Sequence, residues 1–364
     1  MDLNEKLREV CEAFRITDTY LGFEPIQIGN VNKTYKVNFR RADGSKKSYL
    51  VQNVNTFAFR DPIGLMDNID KVTEHIRQKA PGEVCLHYHH TAQRKTYLQD
   101  GKNFWRMANY IPSVTYDSVK DLRIVEAAGV AFGRFQAQLS DFDIGSLHET
   151  IPDFHNTRRR FEALKMAAAE NKAGRAQEAA PEIRFLLENE DLACILTDLQ
   201  RKGQLPLRVT HNDTKINNVL FDPATGKAVV VVDLDTVMPG MLGADFGDAI
   251  RSAANFCEED CPDPGKAGVN MGVFEAFTKG FLSKTAASIT QTEADTLAVS
   301  CYCLAMELSA RFLTDYLEGD PYFTVRYPDH NLVRTRCQIA LAKDMQKKLP
   351  EMEAVIARCL AECK

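Results

Sequence analysis

The fold of this chain is indicated most clearly by His211-Asn212-Asp213-Thr214-Lys215-Ile216-Asn217-Asn218 and, further along, by Asp233-Leu234-Asp235. The residues between these motifs begin with the strand-like Val219-Leu220-Phe221. They continue through residues 222–226, which contain the turn formers Asp, Pro and Gly, and end in the apolar run of residues 228–232. Two apolar segments joined by such a turn predict an antiparallel hairpin.

The hairpin has a consequence for three oxygen-bearing side chains. Because antiparallel strands place the start of the first beside the end of the second, we expect Asn218 and Asp233 to be neighbours, with Asp213 one short loop away. Phosphoryl transfer needs metal ligands and a group that orients the nucleophile. Asp213 is the candidate base for a substrate hydroxyl, and Asn218 and Asp233 are candidate ligands of Mg²⁺, which prefers oxygen donors. Alone, Asp213 would be better interpreted as a turn or helix-cap residue, but the joint pattern is much rarer.

A second motif, Asp245-Phe246-Gly247, looks like a protein kinase metal motif but has no strand before it and comes too late. We expect Asp245 and Asp248 to anchor the loop or to cap the following helix. The sequence also contains neither Gly-x-x-x-x-Gly-Lys-Ser/Thr nor Gly-x-Gly-x-x-Gly, so a P-loop or dinucleotide fold has no support.

Composition limits the functional class. The chain has 364 residues, a formal net charge of −5 and 26% charged residues, which argues against a general nucleic-acid binder. Residues 1–10 are too charged for a signal peptide, and no apolar run approaches membrane-spanning length, the run of residues 228–232 being far too short. We expect a soluble, cytoplasmic protein with no nucleic-acid, membrane or protein partner.

Cysteine and histidine clusters are interpreted as structural. The ten cysteines include no Cys-x-x-Cys pair, so reduced and mostly buried thiols are expected. His87-Tyr88-His89-His90 has no partner pair at metal-ligand spacing and is assigned to a strand or loop with surface histidines.

Two regions of different secondary structure are predicted. Residues 1–108 should form a β-rich N-terminal lobe that covers the nucleotide, and residues 109–364 a mostly helical lobe for catalysis and substrate binding. Strands are expected at 33–39, 48–54, 85–89 and 103–109, and helices at 64–79, along the buried face of 122–139, and from a capping box at Thr292-Glu293-Ala294-Asp295 to about Leu317, where Gly319 ends the helix.

A glycine-bearing loop, Gly29-Asn30-Val31-Asn32-Lys33-Thr34, lies between two predicted strands. Its backbone amides could cover ATP phosphates. Most Gly-Asn turns are only turns, so this interpretation depends on the position of the loop.

These motifs closely resemble the aminoglycoside phosphotransferase/choline kinase-like superfamily. Within it they look most like the N-acetylhexosamine kinases, which phosphorylate the anomeric hydroxyl of N-acetylglucosamine and N-acetylgalactosamine. The resemblance covers nearly the whole chain and is carried by residues 209–220 and 232–240, by Trp105-Arg106-Met107 with Tyr110-Ile111, and by residues 311–320 with Tyr322-Phe323.

The resemblance implies an α+β, two-lobed protein-kinase-like (aminoglycoside phosphotransferase-type) fold that uses ATP and Mg²⁺ to phosphorylate a small-molecule sugar. It implies Asp213 as base, also contacting the substrate, and Asn218 and Asp233 as metal ligands. Arg311 and Tyr322 would contact the sugar, although Arg311 could equally pair with Asp315 one helical turn along. The residues predicted to contact the nucleotide are Asn30, Asn32, Lys33, Thr34, Gln52, Met107, Asn109 and Tyr110.

One departure from the superfamily concerns its third strand, which usually supplies a phosphate-binding Lys. Gln52 stands near that position here, in the strand Leu50-Val51-Gln52-Asn53, and either Gln52 or Lys33 could contact the phosphates. Two alternatives stay open. One is a kinase of the same fold that acts on another sugar, an amino alcohol or an aminoglycoside, since fold alone does not choose a substrate. The other is a non-catalytic nucleotide-binding scaffold.

Overall fold

The computed structural model describes residues 2–26, 31–116 and 121–363. The chain divides into two compact units. The first unit contains Met1–Val114, Asp141–Pro152 and Val232–Met238, and the second contains Thr115–Ser140, Asp153–Val231 and Pro239–Lys364. Two later stretches of the chain therefore belong with its N-terminal part.

The first unit is built on a five-stranded sheet with the order β1-β2-β3-β5-β4, in which every neighbouring pair is antiparallel. The strands are β1 (Thr19–Ile26), β2 (Lys33–Arg40), β3 (Lys46–Asn53), β4 (Tyr97–Asp100) and β5 (Asn103–Asn109). Alternate residues of β2, namely Tyr35, Val37 and Phe39, are buried, which is the period-two pattern of a half-buried strand. They form one core with Trp105 of β5. The β-rich character predicted for this region is confirmed.

Two helices accompany this sheet, α1 (Leu3–Ala13) and α2 (Pro62–Lys79). Helix α1 was not predicted, and it buries Leu7, Val10 and Cys11 in the same core as the strands. Helix α2 begins at Asp61, whose side chain accepts a hydrogen bond from the Gly64 amide at 2.9 Å. A helix start fixed in this way is stabilised by about 1 kcal/mol.

The strand predicted at residues 85–89 is wrong. Only Tyr88 makes an isolated bridge, to Ala108, whereas β4 is formed by residues that were not predicted as a strand. The physical reason is the way β5 is shared. Its first half, Asn103–Arg106, pairs with β4, and only its last residues remain for the segment around Tyr88.

The second unit is mostly helical, as predicted. Its helices are α3 (Leu122–Gln138), α4 (Thr157–Glu170), α5 (Ala180–Glu188), α6 (Glu190–Ala193), α7 (Ile195–Arg201), α8 (Leu242–Ala253), α9 (Met271–Thr285), α10 (Gln291–Glu318) and α11 (His330–Glu362). Its short strands are β6 (Arg208–Thr210), β7 (Val219–Phe221), β8 (Ala228–Val231) and β9 (Met238–Gly240). Helix α10 packs against α4, α8 and α11 and forms the centre of the unit.

The capping box of α10 lies slightly earlier than predicted. The Thr290 side chain accepts from the Glu293 amide, and the Glu293 carboxylate accepts from the Thr290 amide, so Thr290 rather than Thr292 is the N-cap. Gly319 ends the helix with a φ of 95°, a left-handed conformation that glycine adopts at low cost. The predicted end of the helix is therefore confirmed.

Helices α3 and α9 approach closely through glycine. A Cβ atom added at Gly280 would lie 2.1 Å from the Glu126 carbonyl oxygen. The buried face predicted for α3 is confirmed for Val125, Ala128 and Phe132, whereas Leu122 is exposed.

In the described part of the chain, α10 alone has the length and mean hydropathy of a membrane span. This length and hydropathy were not recognised from the sequence, because polar residues interrupt the apolar run of α10. Of its most apolar window, 89% is buried inside the protein, as in the central helix of a packed core. The ten cysteines are all free, most of them buried, as predicted. No group of three or more His, Cys, Asp or Glu side chains among the described residues has the geometry of a metal site.

Candidate active site

The loop that carries Asp213 follows the short strand β6. His211 and Asn212 are almost fully buried, and Asn212 has a φ of 64°, a left-handed conformation that Asn tolerates better than most residues. The loop then makes a 3-10 turn, Ile216–Asn218, before β7 begins. Such conformations persist only where the surroundings hold them.

Asp245 provides that support. Its buried carboxylate accepts hydrogen bonds from the backbone amides of His211 at 2.9 Å and Asn212 at 2.7 Å, and from the Gln136 side chain at 2.7 Å. Its carbonyl oxygen accepts from the Thr214 hydroxyl at 2.5 Å. Burial raises the pKa of Asp245, while the donated hydrogen bonds oppose that rise. The prediction that Asp245 anchors the loop is confirmed.

Asp213 lies among partners from its own loop. Its Oδ1 atom is 2.9 Å from Lys215 Nζ, and its Oδ2 atom accepts from Asn218 Nδ2 at 3.2 Å. Asn218 also donates to the Asp213 carbonyl oxygen at 2.8 Å. Both of these hydrogen bonds are donated by the Asn218 nitrogen, and the amide oxygen accepts none from the described residues. An amide oxygen is a suitable ligand for a hard cation.

Lys215 was not singled out from the sequence, although its position two residues after Asp213 was visible. Desolvation lowers its pKa, but the Asp213 carboxylate and then Asp248 raise the pKa by more, so that it lies above the ordinary value. The side chain therefore presents a stable positive charge beside the candidate base.

The hairpin predicted after Asn218 is confirmed. Strands β7 and β8 are antiparallel, and Val219 pairs with Val231. Asp233 follows two residues after this pair and has a φ of 61°, again left-handed. The sharing of one metal ion by Asn218 and Asp233 stays a prediction.

His155 connects the loop to α10. Its Nε2 atom lies 3.2 Å from the Asn212 carbonyl oxygen, and its Nδ1 atom lies 2.9 Å from Glu307 Oε1. Both partners are acceptors, so both ring nitrogens must donate and the imidazole is protonated. Burial lowers the pKa of His155, but Glu307 and then Asp248 raise the pKa above its ordinary value of 6.5.

This arrangement predicts a pH-dependent contribution of His155 to stability. Because its pKa is raised in the folded state, the stabilisation is complete below the unfolded value of 6.5 and is lost as pH rises through the folded pKa. We expect His155→Gln to lower the free energy of unfolding by about 1–3 kcal/mol near pH 6 and by less near pH 9. Urea unfolding of both proteins at several pH values measures the difference. If the difference in the free energy of unfolding between the two proteins grew as the pH rose, His155 would not be the protonated group.

Arg311 lies one helical turn after Glu307 on α10. Its guanidinium is 5.7 Å from the ring centroid of Phe154 and 5.6 Å from that of Phe323. It forms no ion pair with any described residue, and the alternative pairing with Asp315 is wrong. Asp315 instead accepts from the backbone amides of Tyr322 and Phe323 at 2.8 and 3.0 Å.

The segment after α10 turns back towards Arg311. Asp320 follows Gly319 with a φ of 62°, and the two amides bound to Asp315 bring the Phe323 ring against Arg311. The Tyr322 ring is 73% exposed and contacts Phe323 edge to face, with centroids 4.8 Å apart. Both predicted sugar contacts therefore belong to one region of the second unit.

In the first unit, three of the predicted nucleotide contacts, Asn32, Thr34 and Gln52, form hydrogen bonds with other protein groups. The Gln52 amide nitrogen donates to Thr34 Oγ1 at 3.0 Å, and its oxygen accepts from Arg106 Nε at 2.9 Å. Asn32 donates to Asp235 at 2.6 Å. Lys33 is exposed at the start of β2. Asn30 lies outside the described residues.

The remaining predicted nucleotide contacts, Met107, Asn109 and Tyr110, lie at the end of β5 or directly after it. The Met107 side chain is fully buried in the sheet core, and its carbonyl oxygen accepts from the His89 amide at 2.8 Å. Asn109 Oδ1 lies 3.1 Å from His89 Nε2. Tyr110 follows β5, and Lys36 Nζ lies 5.1 Å from its ring centroid. Nucleotide contact by these residues stays a prediction.

Three solved structures illustrate what the chain resembles. It aligns with a microcompartment-associated aminopropanol kinase at 14% identity and a TM-score of 0.63, over 96% of this chain and 98% of that one. For an aminoglycoside phosphotransferase from Alicyclobacillus acidocaldarius the values are 12% and 0.62, with 96% of each chain covered. For spectinomycin phosphotransferase in complex with ADP and spectinomycin they are 12% and 0.58, over 96% of this chain and 99% of that one.

These likenesses establish the fold. The predicted protein-kinase-like, aminoglycoside phosphotransferase-type fold is confirmed, with its N-terminal antiparallel sheet and largely helical C-terminal part. The family described as the phosphotransferase enzyme family, APH, matches residues 22–275, which is most of the chain. The chain therefore belongs to the APH phosphotransferase enzyme family.

Proposed function

We propose that this phosphotransferase moves the γ-phosphoryl group of ATP to a hydroxyl of a small molecule, and that its acceptor is the anomeric hydroxyl of an N-acetylhexosamine. The main supporting observation is the connection inside the second unit between the Asp213 loop and Arg311. One side chain, His155, bonds to both the loop and the helical turn that precedes Arg311. One side chain thus joins the loop that carries the candidate base to the helical turn that precedes the candidate acceptor contact.

The nucleotide assignment rests on family membership and on relatives. Spectinomycin phosphotransferase was solved with ADP, which supports ATP as the phosphoryl donor for this chain. The Asn218 amide oxygen accepts no hydrogen bond within the part of the chain that the structure describes, and Asp233 remains the proposed carboxylate ligand; oxygen ligands of these kinds fit Mg²⁺. When bound, the ion would neutralise phosphate charge.

The residues of the loop have distinct roles in this proposal. Asp213 accepts the proton of the acceptor hydroxyl as the oxygen attacks phosphorus. Lys215 holds one carboxylate oxygen of Asp213, and Asn218 holds the other, so the carboxylate is oriented before substrate arrives. The positive charge of Lys215 also offsets the negative charge that gathers at the reacting groups.

The electrostatics near Arg311 favour a neutral or anionic acceptor. Burial lowers the pKa of Arg160, and the nearby charge of Arg311 lowers it further. The carboxylate of Glu307 is already paired with protonated His155. An acceptor with several ammonium groups would meet excess positive charge here, so an acetamido sugar fits better than an amino alcohol or an aminoglycoside. A planar guanidinium suits hydroxyl and acetamido oxygens.

The decisive experiment identifies the product. Phosphorus NMR after incubation with ATP, Mg²⁺ and N-acetylglucosamine or N-acetylgalactosamine should show a sugar 1-phosphate. A phosphate at another carbon would contradict the regiochemistry, and turnover only with other acceptors in a panel would contradict the sugar. Absence of ATP turnover with every acceptor would favour a nucleotide-binding scaffold.

Arg311 supplies a test of the acceptor contact. We expect Arg311→Met to raise the acceptor KM by about 10-fold or more, because a charge-assisted hydrogen bond contributes about 1.5–3 kcal/mol. The KM for ATP should stay unchanged. Arg358→Met is the matched control, since Arg358 forms an exposed ion pair with Glu275 on another part of the unit. Equal changes in the KM for ATP and for the acceptor would contradict the role of Arg311.

A further inference from the structure

A buried guanidinium in the first unit has no role in the function proposed so far. Arg106 on β5 is 1% exposed, and its Nη1 atom forms a salt bridge with Asp235, which is 3% exposed. Its Nε atom donates to the Gln52 amide oxygen at 2.9 Å, and its guanidinium carbon lies 5.6 Å from the centroid of the Tyr88 ring. Taking both charges out of water is costly, so such a pair contributes little net stability.

The orientation of Arg106 is fixed by its neighbour on β3. Gln52 and Arg106 are paired residues in the antiparallel β3–β5 ladder. Because the Gln52 nitrogen already donates to Thr34, its oxygen is left to accept from Arg106. A lysine at position 52 would offer only donors to the guanidinium. The buried cation beside Gln52 is therefore supplied by β5, and Gln52 orients it.

Asp235 is bound from its other side as well. Its Oδ1 atom receives Arg106, while its Oδ2 atom accepts from Asn32 Nδ2 at 2.6 Å. The Asn32 oxygen in turn accepts from the Asn55 amide at 2.9 Å. One carboxylate thus joins β5 to the segment that precedes β2.

The segment that contains Asp235 begins with Asp233, the proposed metal ligand. Asp233 has left-handed φ and ψ angles of 61° and 58°, which a residue with a Cβ atom adopts at a cost of about 1–3 kcal/mol. The 3-10 turn Leu234–Thr236 follows, and Asn68 Nδ2 donates to the Val237 carbonyl oxygen at 2.9 Å. The turn is therefore fixed at Asp235 by the salt bridge with Arg106 and at Val237 by the hydrogen bond from Asn68.

We propose that Arg106 is a positioning residue for the metal site: aimed by Gln52, it fixes Asp235 and so keeps Asp233 oriented towards Mg²⁺. The proposal rests on the proposed role of Asp233 as a metal ligand. It also accounts for Gln52 at the position on β3 where the superfamily usually has a phosphate-binding Lys. The fixed positive charge acts through the metal-binding segment and comes from the neighbouring strand.

Two variants test this role. Arg106→Lys keeps the charge but cannot donate from separate nitrogens to Gln52 and Asp235. The double variant Arg106→Met/Asp235→Leu removes both charges, and replacing a buried ion pair by apolar side chains of similar volume is often neutral for stability. Arg158→Lys is the control, because Arg158 pairs with Asp198 and Glu190 in the second unit.

Binding of a fluorescent ATP analogue with MgCl₂ and with EDTA is the measurement, together with melting temperature. Both test variants should bind the analogue in EDTA within about 2-fold of wild type and lose about 10–100-fold in apparent Mg²⁺ affinity, as expected for partners that orient metal ligands. The control should match wild type. Unchanged Mg²⁺ affinity in the folded double variant would overturn the proposal, and so would equal losses with and without Mg²⁺. If wild type itself binds the nucleotide analogue equally well with and without Mg²⁺, the result contradicts the proposed function and not only the role of Arg106.

Discussion

Asp213→Asn is expected to lower turnover by about 10²–10⁴-fold, the contribution of one positioned proton acceptor. Asn has nearly the same shape and can still interact with Asn218, but its amide cannot take up the proton of the attacking hydroxyl. The Asp213 side chain is about one-third exposed (31%), so loss of its ion pair with Lys215 should change stability little. Affinity for the nucleotide should also be preserved.

Steady-state kinetics with the acceptor identified by NMR, combined with nucleotide binding, measures this effect. The matched control is Asp222→Asn, an exposed turn residue of the same hairpin whose carboxylate accepts from the Ala224 and Thr225 amides. Near-normal turnover of Asp213→Asn, or an equal loss in the control, would show that Asp213 is not the base.

Asp245→Asn is expected to have the largest effect on stability, lowering the free energy of unfolding by about 3 kcal/mol or more. The carboxylate accepts three N–H donors, from His211, Asn212 and Gln136. An Asn side chain would turn an NH₂ group towards one of these donors, leaving a buried N–H group without an acceptor. Turnover should fall as well, because the same amides fix the loop that carries Asp213.

Chemical denaturation of Asp245→Asn beside Asp263→Asn measures this loss. Asp263 is an exposed cap whose side chain accepts a hydrogen bond from one backbone amide, that of Gly265, so its substitution should cost about 1 kcal/mol or less. Stability of Asp245→Asn within about 0.5 kcal/mol of wild type would contradict the anchoring role.

Local secondary structure could be predicted from the sequence where the apolar pattern and the turn or cap residues agreed. The β7–β8 hairpin was predicted because apolar runs flank a turn that contains Pro and Gly, and α10 was predicted to end at Gly319 because that residue tolerates positive φ. The strand at residues 85–89 was wrong because alternation cannot show which partner strand is available. Helix α1 was missed although Leu3, Leu7, Val10 and Phe14 recur at three- and four-residue steps, the spacing of one helix face.

Sequence by itself was enough to predict the candidate catalytic and metal-binding residues, since Asp213, Asn218 and Asp233 stand at spacings set by a loop and a hairpin, which are local structures. The tertiary structure alone decided which groups support them. Asp245 bonds to loop residues more than thirty positions earlier in the sequence. His155 and Glu307 are 152 positions apart in the sequence, and Arg106 and Asp235 are 129 apart. No periodicity or spacing encodes such pairs, because their proximity depends on how whole helices and strands pack.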